Sequence, residues 1–392
     1  MIDMETEVIK ELAQLVRAAL FGKNLEHLPK GIEFTELLEI AQKQKMQMLL
    51  LKPLLGAKEV TKEQTDYIKG ISMKSFIKSA NQMHDVEIID KILEEACLKH
   101  QFLKGAILKD VYPNKELRDM GDIDILIDES ELGKVDEVLQ KNDFKMAKSV
   151  KHHDIYSKAP FTILEVHRYL SEDKHLGLDC TYFREGGNNL LSSGTGYTYH
   201  YSLEYFYVFM IMHMARHFYE RGCGIRGLVD LYVYRNKYDD ELNHKYLDRK
   251  FKELHLYDFE RHMNRLAMIW LDGGEWTSFY KNLFEYMIDG DVYGKEENGI
   301  WSQFAREKSV GNSKMAKLKL KMWYIFPSYQ YMANYNEWLR GKPYLLPVAW
   351  LYRATHVSKN HKKRQNLANK ADARQIHSIQ HIYKEMNFAF RE

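Results

Sequence analysis

The 392-residue sequence is short of three things: cysteine, net charge and long hydrophobic runs. Its three cysteines, Cys97, Cys180 and Cys223, form no Cys-x-x-Cys pair, which argues against a disulfide framework and a thiolate zinc site and fits a reducing compartment. Lysine and arginine together number 57 against 55 aspartates and glutamates, a net charge of +2. This balance excludes a uniformly basic nucleic-acid coat protein and an acidic solvating tail.

The hydrophobic runs are too short to cross a membrane. The longest, residues 206–212 and 344–351, fall well short of the roughly 18–20 residues that a span needs, and the second contains Pro347. The N-terminal residues are acidic rather than basic, so we expect no secretory signal and a cytoplasmic protein. The composition, 45% hydrophobic and 29% charged, is that of a globular protein, and the length predicts two or three domains at roughly 100–200 residues each.

Aromatic residues are plentiful instead, with 26 tyrosines, 18 phenylalanines and 6 tryptophans. Many tyrosines suggest either large helical surfaces with polar-tipped rings or a substrate groove, and composition does not choose between the two.

Hydrophobic spacing divides the chain into three regions, which we place at residues 1–99, 100–200 and 201–392. The first is predicted to be helical, and Thr61 with Gln64 has the capping-box pattern that begins a long helix. The third is also helical. Its predicted helices span about 202–219, 226–237, 246–254, 258–272 and 276–288.

The central region mixes helices and strands. Ile123, Ile125 and Ile127 recur at the period of a strand, and the residues between them point to the opposite face. The mixture indicates an α+β fold. Further strands are predicted at 144–147, 153–157 and 162–169, and helices at about 106–111 and 130–141.

The strongest chemical signal is Asp122 and Asp124 on the first of these strands. Residues two apart share a face, so the two carboxylates project together while the isoleucines enter a core. Neighbouring carboxylates raise each other's pKa unless a cation lies between them. Oxygen ligands of this kind suit Mg²⁺ or Mn²⁺.

Two weaker signals accompany the aspartates. Glu165 and His167 share one face of a predicted strand, and Glu165 becomes a third metal ligand if the two strands are neighbours. Taken alone, this pattern is explained more simply by a half-exposed strand whose polar residues face water. Lys104-Gly105 precedes a short helix, where a glycine and free backbone N–H groups suit phosphate, although an ordinary helix-start glycine fits too.

Together these segments resemble the nucleotidyltransferase superfamily of the DNA polymerase β type, which has a glycine turn before a helix, an Asp-x-Asp strand and a third acid on a later strand. The closer resemblance is to an uncharacterised bacterial nucleotidyltransferase family. Its motifs match Leu103-Lys104-Gly105, Tyr112-Pro113, Arg118, Asp122–Ile127, Glu165, His167, His213, His217, Gly224, Arg226 and Asp230. Ala106 departs from the superfamily, which has Gly or Ser at the second turn position.

The resemblance implies an α+β, polymerase β-like nucleotidyltransferase core with a mixed sheet, flanked by an N-terminal helical region and a C-terminal all-helical domain. It implies transfer of a nucleoside monophosphate from ATP or another NTP to a hydroxyl of an unidentified acceptor, with release of pyrophosphate. Two Mg²⁺ or Mn²⁺ ions are expected, one held by Asp122 and Asp124 and one shared with Glu165, and these three acids are the expected catalytic residues. Lys104, Gly105, Arg118 and His167 are expected to contact the nucleotide phosphates.

The third region adds candidates on two helices. His213, Arg216 and His217 share one helix face, which could bind zinc or line the nucleotide cleft; a packed face is the ordinary alternative. Arg226, also a candidate for phosphate, lies four residues before Asp230, so an ion pair on one helix is expected.

Two further functions stay open. The chain could be a catalytically degenerate nucleotide-binding or partner-binding scaffold, which Ala106 favours. It could also modify RNA, because Lys314–Lys321 and residues 358–375 are rich in basic residues, although such runs are usually solvated helix faces. The acceptor is therefore expected to be a small molecule, a protein or RNA.

Overall fold

The computed structural model describes residues 6–149, 153–170, 174–175, 178–179, 191–192, 196–295, 298–299, 322, 325–329, 332–333, 336–355 and 373–387. The lysine run 314–321 lies outside these residues, as does the basic segment 358–375 up to residue 372. Within the described part of the chain, no helix is both long enough and apolar enough to cross a membrane.

The N-terminal region is helical, as predicted. Thr61 and Gln64 form the capping box at the start of its longest helix: the Gln64 backbone N–H donates to Thr61 Oγ1 at 3.2 Å, and the Thr61 N–H donates to Gln64 Oε1 at 2.9 Å. The helices are α1 (Thr6–Leu20), α2 (Phe34–Lys43), α3 (Gln47–Leu50) and α4 (Lys62–Glu95).

A mixed sheet follows, which confirms the predicted α+β class. Among the described residues it has seven strands in the order β3-β4-β5-β2-β1-β9-β8, with β2/β5 and β1/β9 parallel and the other pairs antiparallel. A separate pair is formed by β6 and β7. The strands are β1 (His100–Leu103), β2 (Ile123–Ile127), β3 (Lys145–Ser149), β4 (His153–Lys158), β5 (Thr162–His167), β6 (Lys174–His175), β7 (Leu178–Asp179), β8 (Leu191–Ser192) and β9 (Thr198–His200).

The two faces of the sheet differ in chemistry. On one face, Ile123 and Ile125 of β2 and Val166 of β5 are buried in a core shared with α4 and with helix α6 (Leu132–Lys141). Residues alternate between faces along a strand, so the acidic residues of β2 and β5 lie on the other face. The helix α5 (Lys104–Lys109) begins where β1 ends.

Most of the C-terminal helices form a second core, whereas the helix Leu346–Thr355 packs in a smaller cluster with Met332 and Leu339. The helices of the second core pack with α1 to α3 and with Ile68 of α4, whereas Ile89 and Leu93 farther along α4 belong to the first core. The two boundaries between the three regions predicted above stay a prediction. The helices are α7 (Leu203–Arg221), α8 (Arg226–Tyr238), α9 (His244–Glu253), α10 (Tyr257–Asp272), α11 (Ser278–Asp289), α12 (Leu346–Thr355) and α13 (Ala373–Glu385). Short 3₁₀ turns occupy Lys52–Leu54, Lys115–Leu117, Glu129–Glu131, Glu337–Leu339 and Pro343–Leu345.

Many of the tyrosines pack inside this second core. Tyr207 is fully buried and donates to Glu260 at 2.7 Å, and Tyr234 donates to the Leu203 carbonyl at 2.8 Å. Each ring fills apolar space while its hydroxyl finds a partner, which is how buried tyrosines are accommodated. For these tyrosines the excess reflects helix packing rather than a substrate groove.

Candidate active site

A cavity of about 540 Å³ separates the acidic face of the sheet from α7 and α8. Every residue predicted above for the site lies in its wall. The sheet side and the first residues of α5 contribute Lys104, Gly105, Arg118, Asp122, Asp124, Glu165 and His167. The helical side contributes His213, Arg216, His217 and Arg226. The fold therefore brings together residues that lie as much as 122 positions apart in the sequence, from Lys104 to Arg226.

Two of the three carboxylates lie on adjacent strands, and the third immediately precedes one of these strands. Asp124 and Glu165 are partners in the parallel register of β2 and β5, so both side chains project from the same face at the same level. Asp122 precedes β2 by one residue and is partly buried. Burial, reinforced by repulsion from Asp124, raises the pKa of Asp122 above its ordinary value.

Asp124 is the central acceptor of the site. Lys104 Nζ lies 3.0 Å from its Oδ1, and His167 Nε2 lies 2.7 Å from the same oxygen. Burial opposes the ionisation of Asp124, but the two cationic or hydrogen-bonding partners outweigh it and lower the pKa to about 2. The reciprocal effect raises the pKa of Lys104 despite burial, since Asp124, Asp122 and Glu165 all stabilise its ammonium form.

The turn that carries Lys104 is conformationally unusual. Lys104 has φ +41°, the left-handed region that a non-glycine residue adopts only at a cost of about 1–3 kcal/mol. Such strain is concentrated at functional sites, and here it accompanies an ammonium directed at Asp124. Gly105 next to it has no room for a side chain, because an added Cβ would lie 2.8 Å from Met120 Cγ and 3.2 Å from an Arg118 nitrogen. Ala106 is buried in the apolar core.

A histidine that was not predicted from the sequence completes the acidic face. His153 on β4 is the antiparallel partner of His167 on β5, and it also lines the cavity. Glu165 Oε2 lies 3.7 Å from His153 Nε2 and 3.4 Å from His167 Nε2. Among the described residues, this trio is the group whose possible metal-ligand atoms all lie within 4.8 Å of one another. The group contains Glu165 but neither Asp122 nor Asp124. His153 could have been predicted from the sequence only by pairing its strand antiparallel with the strand of His167.

Arg118 and Asp230 form a buried, two-pronged ion pair across the cavity wall. Arg118 Nε donates to Oδ1 at 2.8 Å and Nη2 donates to Oδ2 at 3.0 Å, while the Tyr112 hydroxyl also donates to Oδ1 at 2.8 Å. Although burial acts against it, Asp230 raises the pKa of Arg118. Asp230 is thus paired with Arg118 rather than with Arg226, and the prediction of an ion pair within α8 is wrong. Spacing on one helix brings Arg226 near Asp230, but Arg118 approaches from the sheet side and donates two parallel hydrogen bonds to the carboxylate.

Arg226 instead lines the cavity without pairing with Asp230. It donates to the Asp119 carbonyl at 3.3 Å, and its guanidinium lies 6.0 Å from the centre of the Tyr293 ring. Tyr293, in the segment after α11, is a second lining residue that was not predicted from the sequence.

His213 and His217 lie one turn apart on α7, with their Nε2 atoms 3.1 Å apart. Burial, together with the positive charge of Arg216 and Lys104, lowers the pKa of His217 to about 4, and burial lowers the pKa of His213 well below its ordinary value. Both imidazoles are therefore neutral near pH 7. No third ligand joins them in a metal-binding group among the described residues, so the zinc alternative gains no support.

The sequence was compared with known families and proteins. A family model described as an uncharacterised nucleotidyltransferase matches residues 30–272. No curated protein and no solved structure matches the chain. The matched region holds all of the residues that line the cavity except Val292 and Tyr293.

Proposed function

The chain belongs to the uncharacterised nucleotidyltransferase family, and we propose that it transfers a nucleoside monophosphate from an NTP to the hydroxyl group of an acceptor, with Mg²⁺ or Mn²⁺ bound by Asp122, Asp124 and Glu165. One observation carries the proposal: Asp122, Asp124 and Glu165 line the same cavity as Lys104, Arg216 and Arg226, and Asp124 and Glu165 are register partners on adjacent strands. The cavity volume of about 540 Å³ lies within the range of about 300–1,000 Å³ typical of small-molecule sites.

The donor set fits a divalent cation. The carboxylates of Asp122, Asp124 and Glu165 face one cavity, and the ammonium of Lys104 is hydrogen-bonded to Asp124. Burial raises the pKa of Asp122, repulsion from Asp124 and Glu165 raises it further, and Lys104 opposes this rise, so a cation placed between the carboxylates would favour their ionised forms. A divalent cation supplied to these oxygens would polarise the phosphoryl group and lower the pKa of the acceptor hydroxyl.

The protein's own side chains supply the positive charge for the triphosphate and the acceptor for the hydroxyl proton. The ammonium of Lys104 and the guanidinium groups of Arg216 and Arg226 supply positive charge for the triphosphate, where charge builds up as the α-phosphate is attacked. Glu165 is the carboxylate that we assign to the acceptor side. A hydrogen bond from His167 lowers its pKa, so it is ionised and able to accept the hydroxyl proton.

The reaction balances without a further reactant. The acceptor oxygen forms a bond to the α-phosphorus, the bond from that phosphorus to the bridging oxygen breaks, and pyrophosphate leaves. The hydroxyl proton passes to Glu165 and from there to solvent. His213 and His217, both neutral, line the helical wall without adding charge.

Transfer from NTP labelled at the α-phosphate, with Mg²⁺ or Mn²⁺ and a panel of small-molecule, protein and RNA acceptors, tests the proposal. We expect metal-dependent label transfer and pyrophosphate release, both lost in a variant carrying Asp122→Asn and Asp124→Asn. Asp66→Asn, an exposed site on α4, is the matched control and should behave as wild type. Metal-dependent NTP binding without transfer to any acceptor would favour the scaffold alternative, and equal transfer by the double variant would refute the site.

A further inference from the structure

Two adjacent strands place two imidazoles and a carboxylate around one point. His153 and His167 are register partners on β4 and β5, and Glu165 lies two residues before His167 on the same face. Both imidazole Nε2 atoms lie near Oε2 of Glu165, at 3.7 Å for His153 and 3.4 Å for His167. All three side chains are at least partly buried, with exposed fractions of 13%, 21% and 11% for His153, Glu165 and His167.

These spacings are those of ligands that share a metal ion. Transition metals bind imidazole nitrogen and carboxylate oxygen at about 2.0–2.2 Å, which places neighbouring ligand atoms of a tetrahedral site roughly 3.3 Å apart. The two distances to Glu165 lie close to that value. Three protein ligands with a remaining open position is also the usual arrangement at catalytic rather than structural metal sites.

The ligand types favour a particular class of metal. Imidazole nitrogen suits Zn²⁺, Co²⁺ and other first-row transition metals, whereas Mg²⁺ prefers oxygen ligands and retains its water. A site with two nitrogens and one oxygen is therefore a poor Mg²⁺ site. The acids Asp122 and Asp124, with oxygen donors only, lie outside this group.

We propose that His153, Glu165 and His167 form a transition-metal site that binds Zn²⁺, Co²⁺ or Mn²⁺ in preference to Mg²⁺. A catalytic role for this metal rests on the proposed function, in which a cation binds on the Glu165 side of the cavity; the inference identifies that cation as a transition metal. Binding itself does not depend on nucleotide or on turnover. The site is built into one hairpin, because β4 and β5 are consecutive antiparallel strands.

The surrounding charges are compatible with this site. The neighbouring cation is Lys104, whose ammonium is hydrogen-bonded to Asp124 rather than to Glu165. His167 Nε2 also contacts Asp124 Oδ1 at 2.7 Å. Metal binding would replace this contact with a bond from His167 Nε2 to the metal, while Asp124 keeps its hydrogen bond from Lys104. Removing the ammonium with Lys104→Met is therefore expected to tighten metal binding, as one positive charge leaves the cavity.

Titration of the full-length protein with Co²⁺ in the absence of nucleotide tests the proposal, because coordinated Co²⁺ absorbs visible light. We expect one Co²⁺ site that a large excess of Mg²⁺ does not displace. His153→Ala and His153→Gln should each weaken it by at least about 10–100-fold, the loss found even when an outer partner of a metal ligand is removed. His213→Ala and His217→Ala, which alter the other histidine pair of the same cavity, should leave Co²⁺ affinity unchanged.

The outcomes separate this inference from the proposed function. Co²⁺ displaced readily by Mg²⁺, or bound equally well by the His153 variants, overturns the transition-metal site even if nucleotidyl transfer is found. Loss of Co²⁺ binding in the His153 variants supports the site even if no acceptor is ever labelled. A second measurement uses the wild-type protein, so it does not depend on whether a variant folds. The electron spin echo spectrum of bound Mn²⁺ should show coupling to the nitrogen atoms of the histidine ligands. Absence of this coupling contradicts imidazole ligation.

Discussion

The ammonium of Lys104 lies 3.0 Å from Oδ1 of Asp124, so the most buried carboxylate of the cavity is already paired with a cation of the protein itself. Lys104 holds that position from a left-handed backbone conformation at the start of α5. A metal ion and a nucleotide phosphate would each compete for one member of this pair. The same contact thus links the proposed metal ligands to the segment that the sequence marks for phosphate.

Lys104→Met is expected to change cation and nucleotide binding in opposite directions. Without the ammonium, Mn²⁺ binding in the absence of nucleotide should tighten by about tenfold, which corresponds to about 1.4 kcal/mol, while NTP affinity in the presence of metal should fall. Calorimetric titration measures both. Lys134→Met, at an exposed position on α6, is the matched control. Weaker Mn²⁺ binding by Lys104→Met would show that the lysine does not compete with the metal.

The Arg118–Asp230 pair is expected to be important for stability, because both groups are buried. Arg118→Met leaves Asp230 with Tyr112 as its remaining neutral donor, and loss of one partner of a buried pair costs about 3–5 kcal/mol. Urea unfolding measures the change in the free energy of unfolding. Arg226→Met should cost much less, since Arg226 does not pair with Asp230; a larger loss there than in Arg118→Met would contradict the observed pairing.

Gly105→Ala and Gly70→Ala should shift stability in opposite directions. At Gly105 the added methyl would meet buried Met120 at 2.8 Å, and overpacking of this kind typically costs about 1–3 kcal/mol. At Gly70, inside α4, nothing lies within 4 Å of the added methyl, and alanine in a helix interior is favoured over glycine by roughly 0.5–1 kcal/mol. Thermal unfolding compares the two, and a neutral or stabilising Gly105→Ala would show that the turn is not packed as described.

His217 should make the protein less stable in mild acid. Its pKa is about 4 in the folded protein, because of burial and of Arg216, against an ordinary value of 6.5. Between these two pKa values the unfolded chain binds more protons than the folded protein does. The contribution of the neutral His217 to the free energy of unfolding is therefore fully present above about pH 6.5 and is lost as the pH falls toward 4. Urea unfolding at pH 7, 5.5 and 4.5 should show a steeper loss for wild type than for His217→Gln. Identical slopes would mean that His217 is not buried as a neutral imidazole.

Local patterns predict much of the fold. Three predictions that depend only on residue spacing within one element are confirmed. They are the strand at Ile123–Ile127, the capping box of Thr61 and Gln64, and the helices after residue 202. The same periodicity places Asp124 and Glu165 on polar strand faces. Their pairing across β2 and β5 depended on the resemblance to a known family, because periodicity specifies a face but not the neighbouring strand.

Partners distant in sequence could not be predicted in this way. Spacing on one helix predicts that Asp230 pairs with Arg226, four residues away, yet its guanidinium partner lies 112 residues away on the other side of the cavity. His153 escaped prediction for a related reason: it becomes recognisable only when β4 is placed against β5. The sequence explains glycine at position 105 by phosphate approach, and the structure adds the packing of Met120 and Arg118 as a second reason.

The most direct measurement is the anomalous diffraction of Mn²⁺ in crystals that also contain a non-hydrolysable NTP. We predict manganese bound to Asp122 and Asp124, with the triphosphate beside Lys104 and the base within the cavity between the sheet and α7. Nucleotide and manganese bound elsewhere, with the cavity occupied by neither, would contradict the proposed function.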